Sequence, residues 1–95
     1  MKVPPLPHAF TVVFHPNSSV LLPNYARVLG VLSSRLANGA YVTVVGFGRG
    51  NAGLARARAY AVIHALRAHV ANLHVRLILN TGANVQWAKM IPTRQ

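Results

Sequence analysis

The sequence predicts an α/β domain (α+β in layout) with its elements in the order β-α-β-α-β-β. Three observations carry that prediction. Short runs rich in β-branched and aromatic residues recur at 9–14, 40–45, 74–79 and 85–91, and this is strand composition. Two intervening stretches, 23–37 and 52–70, repeat their large apolar residues at helical spacing. No internal repeat or low-complexity linker interrupts the chain, so its 95 residues read as one domain, 9–95, behind a proline-rich arm at 1–8.

The arm, MKVPPLPH, reads as an extended segment and lacks the apolar centre of a signal peptide. Residues 9–14 (AFTVVF) form the first strand, and 15–19 (HPNSS) is a turn cluster. Pro23 suits a first helical position. Large apolar residues then fall at 25, 28, 29, 32 and 36, with Arg27, Ser34 and Arg35 off that stripe. Asn38-Gly39 ends the helix, because glycine accepts a left-handed cap. The second strand, 40–45, is apolar almost throughout, which suits a central strand or one covered on both faces. In the helix at 52–70, Leu54, Val62, Ile63, Ala65, Leu66 and Val70 share one arc. Arg56, Tyr60, His64 and Arg67 lie opposite, while Arg58 and His69 fall inside the apolar arc. Residues 74–79 (HVRLIL) alternate as a third strand. The turn NTGAN at 80–84 predicts a hairpin across Thr81-Gly82 into the fourth strand, 85–91 (VQWAKMI), which Pro92 closes. Trp87 is expected to be buried against a helix.

The charge balance excludes much chemistry. Ten Lys plus Arg stand against no Asp or Glu, a net charge of +10. An average chain of this size carries roughly ten acids. Here each arginine must face water, donate to backbone oxygens, or meet a partner, and polyanions are favoured partners. Paired-carboxylate hydrolysis, a Ser-His-Asp triad and an acidic Mg or Ca site are all ruled out within the chain. Five histidines without cysteine, none four apart on a helix, make no zinc site. No catalytic residue, metal or cofactor is expected, and the chain does not read as an enzyme. No apolar run approaches the roughly 18 residues of a membrane span.

One stretch can bind. After the second strand come glycines at 46, 48, 50 and 53, and then a helix N-terminus. Glycines let a ligand approach closely, and helix amides with the positive dipole end favour an anion. No acidic residue follows to hold a ribose, so a dinucleotide is not the ligand. Arg58 lies about one turn into the helix, on its inner arc. Its guanidinium either snorkels to the edge or serves a bound anion. The expected ligand-binding residues are Arg58, Arg49, Gly48, Asn51 and Leu54. Arg58 and the amides of 51–54 form a shallow anion-accepting pocket, with Arg49 at its rim.

Two segments carry a family resemblance. VVFHPNSSVLLP places Phe14, Ser18 or Ser19, and Leu21 or Leu22 before the first helix, and Leu54-Ala55-Arg56-Ala57-Arg58-Ala59 opens the second. Over about residues 10–91 the chain resembles the OmpA-like C-terminal domain of bacterial envelope proteins. The resemblance implies a mixed four-stranded sheet with two helices on one face. It also implies noncovalent binding of peptidoglycan through diaminopimelate, with Arg58 as the arginine that takes the ligand carboxylate. The family's Gly-x-x-Asp, whose acid takes the ligand ammonium, is written here as Gly46-Phe47-Gly48-Arg49, in a shorter loop. Two like charges about 4 Å apart repel by about 4 kcal/mol at an effective dielectric of about 20, so Arg49 disfavours a zwitterion. The reading is a non-catalytic periplasmic module, associated with the outer membrane or cell wall. Its role is structural or anchoring in an envelope, secretion or pilus complex, and its partners are other proteins of that complex or peptidoglycan. The alternative is a basic nucleic-acid-binding module.

Overall fold

Two antiparallel strands at the centre of one sheet set the architecture. In the computed structural model, which describes residues 9–36 and 38–93, β2 (Tyr41–Phe47) and β4 (Trp87–Thr93) lie side by side. β1 (Phe10–Val13) pairs antiparallel with the far side of β4, and β3 (His74–Asn80) pairs parallel with β2, giving the order β1-β4-β2-β3. Helices α1 (Pro23–Ser33) and α2 (Ala52–Arg67) supply the other layer. The core lies between the layers: Val12, Val42, Val44, Ala88 and Met90 from the sheet meet Leu29 of α1 and Val62, Ile63 and Leu66 of α2. Strict alternation along β2, and along β4 as far as Met90, sends every second side chain away from the helices. The expected class, a mixed four-stranded sheet with two helices, is therefore the observed one.

The strand order corrects one expectation. β3 and β4 do not form a hairpin across Thr81-Gly82, because β2 lies between them. Instead, the connection wraps the end of β2. Gly48 N donates to Asn80 O (3.1 Å) and Gly50 N to Thr81 O (2.9 Å), while Asn80 Oδ1 accepts from the amides of Gly82 and Ala83. The physical reason is β2 itself, whose near-continuous apolar run belongs in the sheet interior with a partner on each side.

Element bounds also shift. α1 ends at Ser33, short of residue 37, where Ser33 Oγ and Ser34 Oγ donate to the carbonyls of Gly30 (2.9 Å) and Val31 (2.6 Å). Such side-chain bonds compete with helix continuation. Leu36 is buried from the following turn instead. α2 ends at Arg67 rather than 70, and a left-handed Asn72 (φ 55°) turns the chain into β3. β4 does not stop at Pro92 but runs to Thr93, with Pro92 opposite Val42. The register with β1 ends at Met90, so β4 has an open side where the residue lacking an N–H sits. The arm at 1–8 lies outside the described residues. No helix among the described residues is long and apolar enough to cross a membrane.

Candidate functional site

The site forms where α2 meets the end of β2. The first turns of α2 present Ala55 and Ala59 inward, small enough for the helix to lie directly on β2. Gly46 and Gly48 complete the contact. A Cβ on Gly46 would run into the Ala55 carbonyl, and one on Gly48 would sit 2.7 Å from Asn51 O and 2.8 Å from Ala55 N. These glycines are filled by the helix of their own chain. Their bare backbone serves packing, where the sequence suggested a ligand cradle.

Arg58 projects from the same inner face and is 0% exposed. Its Nε donates to Ser18 O (2.8 Å), Nη1 to Phe47 O (3.0 Å), and Nη2 to both His15 O (3.2 Å) and Gln86 Oε1 (2.6 Å). The guanidinium carbon lies 5.6 Å from the centre of the Phe14 ring, within cation–π range. A guanidinium carries five N–H groups in a rigid fork, and four are engaged here by acceptors of this chain. Loss of solvent lowers the Arg58 pKa. Arginine starts so high that the group stays charged at neutral pH. With no carboxylate in the sequence, carbonyl dipoles and an aromatic face replace the counter-ion. The result is a clamp joining the turn after β1, the end of β2 and the approach to β4.

The other expected ligand residues surround this clamp. Asn51 Oδ1 accepts from Leu54 N (3.0 Å), so the side chain caps α2 and satisfies one of its first amides. Gly48 is buried, and Leu54 is half-buried. Arg49 stands exposed on the turn that Gly50 closes with φ 64°. Gly48, Asn51 and Leu54 thus come together at the start of α2. The Arg58 guanidinium, expected to line a shallow pocket beside them, faces internal acceptors instead. Of the fates open to an arginine in a chain without acids, Arg58 takes donation to backbone oxygens, with Gln86 Oε1 beside them. Sequence reasoning missed Gln86 and the carbonyls of His15, Ser18 and Phe47. Backbone acceptors leave no mark in a sequence. The available signal was the absence of any acid to answer an inward arginine.

No protein-family model and no curated protein matches the chain. Among solved structures it is similar to the OmpA-like domain of FopA1 from Francisella tularensis subsp. tularensis SCHU S4. The TM-score is 0.68 over 92% of this chain and 75% of that one, at 11% sequence identity. Likeness at that identity concerns the fold, and the fold of this chain is that of an OmpA-like domain.

Proposed function

From an OmpA-like fold whose signature arginine is internally occupied, we propose that the chain is a non-catalytic module of the bacterial cell envelope. It serves as a structural part of an envelope, secretion or pilus complex, and it does not anchor to peptidoglycan through diaminopimelate. The observation that carries this reading is the 0% exposure of Arg58 with four of its N–H groups on internal acceptors. A ligand carboxylate would have to displace those acceptors, stranding the carbonyls of Ser18 and Phe47 and leaving His15 O with the Ser18 amide alone. Arg49 stands in place of an acid that would hold the ligand ammonium. Arg58, Gly48, Asn51 and Leu54 then serve the fold, and Arg49 alone of the five remains free to meet an anion. Its setting favours a simple carboxylate, sulfate or phosphate over a zwitterion.

The test is co-sedimentation of the purified domain with isolated sacculi, beside a duplex-DNA retention assay, each at low and physiological salt. Retention on sacculi that vanishes at physiological salt is expected, since only dispersed positive charge contributes. Salt-resistant retention that free muropeptide competes away overturns the reading. A second reading, nucleic-acid binding, is favoured by the outer face of α2, where Arg56, Tyr60, His64 and Arg67 are all exposed along one stripe. It requires DNA retention at physiological salt with the steep salt slope of counterion release.

A further inference from the structure

The helices cover one face of the sheet, and the opposite face is the least explained surface of the molecule. Every second residue of the four strands points there. At one end of it Val13 pairs with Trp87, and Phe47 meets the Trp87 ring edge-on at 6.3 Å between centroids. In the next row Lys89 and Ile78 flank Val45. Val13 and Ile78 remain 39% and 41% exposed, large values for aliphatic residues in a sheet. Trp87 is only half-buried and lies on the face turned away from the helices, contrary to the sequence expectation, because Ala88 and Met90 take the core side of β4. Lys89 Nζ lies over the Trp87 ring at 6.0 Å, holding the indole in place.

The other end of the same face is polar and cationic. Tyr41 stacks on His74 (4.4 Å between centroids), and Thr43 pairs with Arg76. With Thr93 these residues line an open depression of about 380 Å³. The face therefore offers an apolar floor, a cation at its middle in Lys89, and a second cation beside hydroxyls in Arg76. The sequence contains no Asp or Glu to answer either cation.

We propose that this helix-free sheet face is a docking surface for an acidic amphipathic segment of another protein. Apolar side chains of that segment cover Val13, Phe47, Trp87 and Ile78, and its carboxylates engage Lys89 and Arg76, one of them seated in the depression. Charge complementarity selects this occupant. A second copy of the chain would bring Lys89 and Arg76 against the same face with no acid in exchange. Size points to a segment rather than a globular surface. Seven-residue strands rise about 23 Å and four strands span about 19 Å, a patch well below the roughly 800 Å² per partner of a standard protein interface. The proposal rests on the reading of the chain as an assembly module, and it adds the surface and the partner's chemistry.

The test is an amide NMR titration of the whole chain with a short amphipathic peptide of Leu, Ala and Glu. Its Gln-for-Glu counterpart, a short DNA duplex and phosphatidylglycerol vesicles are run in parallel. Saturating shifts at Thr43, Val45, Arg76, Ile78 and Lys89 are expected with the Glu peptide. Charge reversal in Arg76→Glu with Lys89→Glu should weaken that binding at least about tenfold, because like charges then face each other. Both side chains lie off the core, so unshifted amides of the core residues Val12, Val62 and Leu66 in the free variant check the fold. Equal binding of the Gln peptide, shifts confined to α1 and α2, or no saturable binding of the Glu peptide overturns the proposal. Tighter binding of DNA or vesicles to this face, or concentration-dependent dimerisation that shifts the same amides, also overturns it by naming another occupant. A muropeptide added to the same sample keeps the two readings apart. Its binding near Gly48 and Arg58 would defeat the assembly-module reading, whereas silence from both ligands defeats the docking proposal alone.

Discussion

A lysine at position 58 would carry the same charge on a flexible stem with three donors at one point, and it could not span four acceptors held by three segments. Each stranded buried acceptor costs about 1–3 kcal/mol. We expect Arg58→Lys to lose about 2–4 kcal/mol in urea denaturation and to speed hydrogen exchange at Ser18, whose amide bonds to His15 O in the clamped turn. A loss under about 0.5 kcal/mol would show that the clamp is ornamental. Trp87 gives the opposite case. Its Nε1 is buried with no acceptor among the described residues. Trp87→Phe removes that donor while keeping an aromatic ring beside Phe47 and Lys89, so its stability should match or exceed that of the unaltered chain. Trp87→Ala should cost about 1–2 kcal/mol, below the roughly 3–5 kcal/mol of a fully buried aromatic, because half-burial forfeits less. The inward direction of Arg58 was legible from its place among Leu54, Val62 and Leu66. The face of Trp87 was not, since alternation defines two faces without saying which one the helices cover.

Among the elements, β2 and α2 approach so closely that one methyl group separates tolerance from failure. Gly46→Ala drives a Cβ into the Ala55 carbonyl, where only rigid backbone can yield, and should cost about 3 kcal/mol or more. Gly30→Ala in α1 meets only the tip of His69, at 3.4 Å, and His69 is exposed and able to rotate away. Relief of glycine's backbone entropy in a helix is worth about 0.5–1 kcal/mol, so Gly30→Ala should stabilise by up to that amount. Thermal melts of the two variants check both signs. The glycines at 46 and 48 read as a ligand loop because close approach by a ligand and by the chain's own helix demand the same residue. The end of α1 was misplaced for a related reason: Ser33 and Ser34 look helix-compatible until their hydroxyls reach the carbonyls behind them. The start of α2 at Ala52 and the end of β1 at Val13 fell close to where composition put them.

At the scale of the molecule, composition and topology carry different amounts of information. The order β-α-β-α-β-β follows from periodicity alone. The insertion of β4 between β1 and β2 does not, because strand neighbours are chosen by long-range pairing that no local pattern records. Charge acts on the whole as well. With +10 and no acid, the folded state bears self-repulsion that salt screens within about 8 Å at physiological ionic strength. The melting temperature should therefore rise with sodium chloride, and a flat or falling trend would mean that the cations are already neutralised. The central claim is that Arg58 holds this fold together and is not offered to a ligand. The most direct measurement follows the Arg58 Nε–H resonance by NMR while a diaminopimelate-containing muropeptide is added. The account predicts a slowly exchanging signal, protected by its bond to Ser18 O, that does not move at any ligand concentration. A signal that shifts and saturates with muropeptide would contradict it, placing the guanidinium on the ligand carboxylate after all.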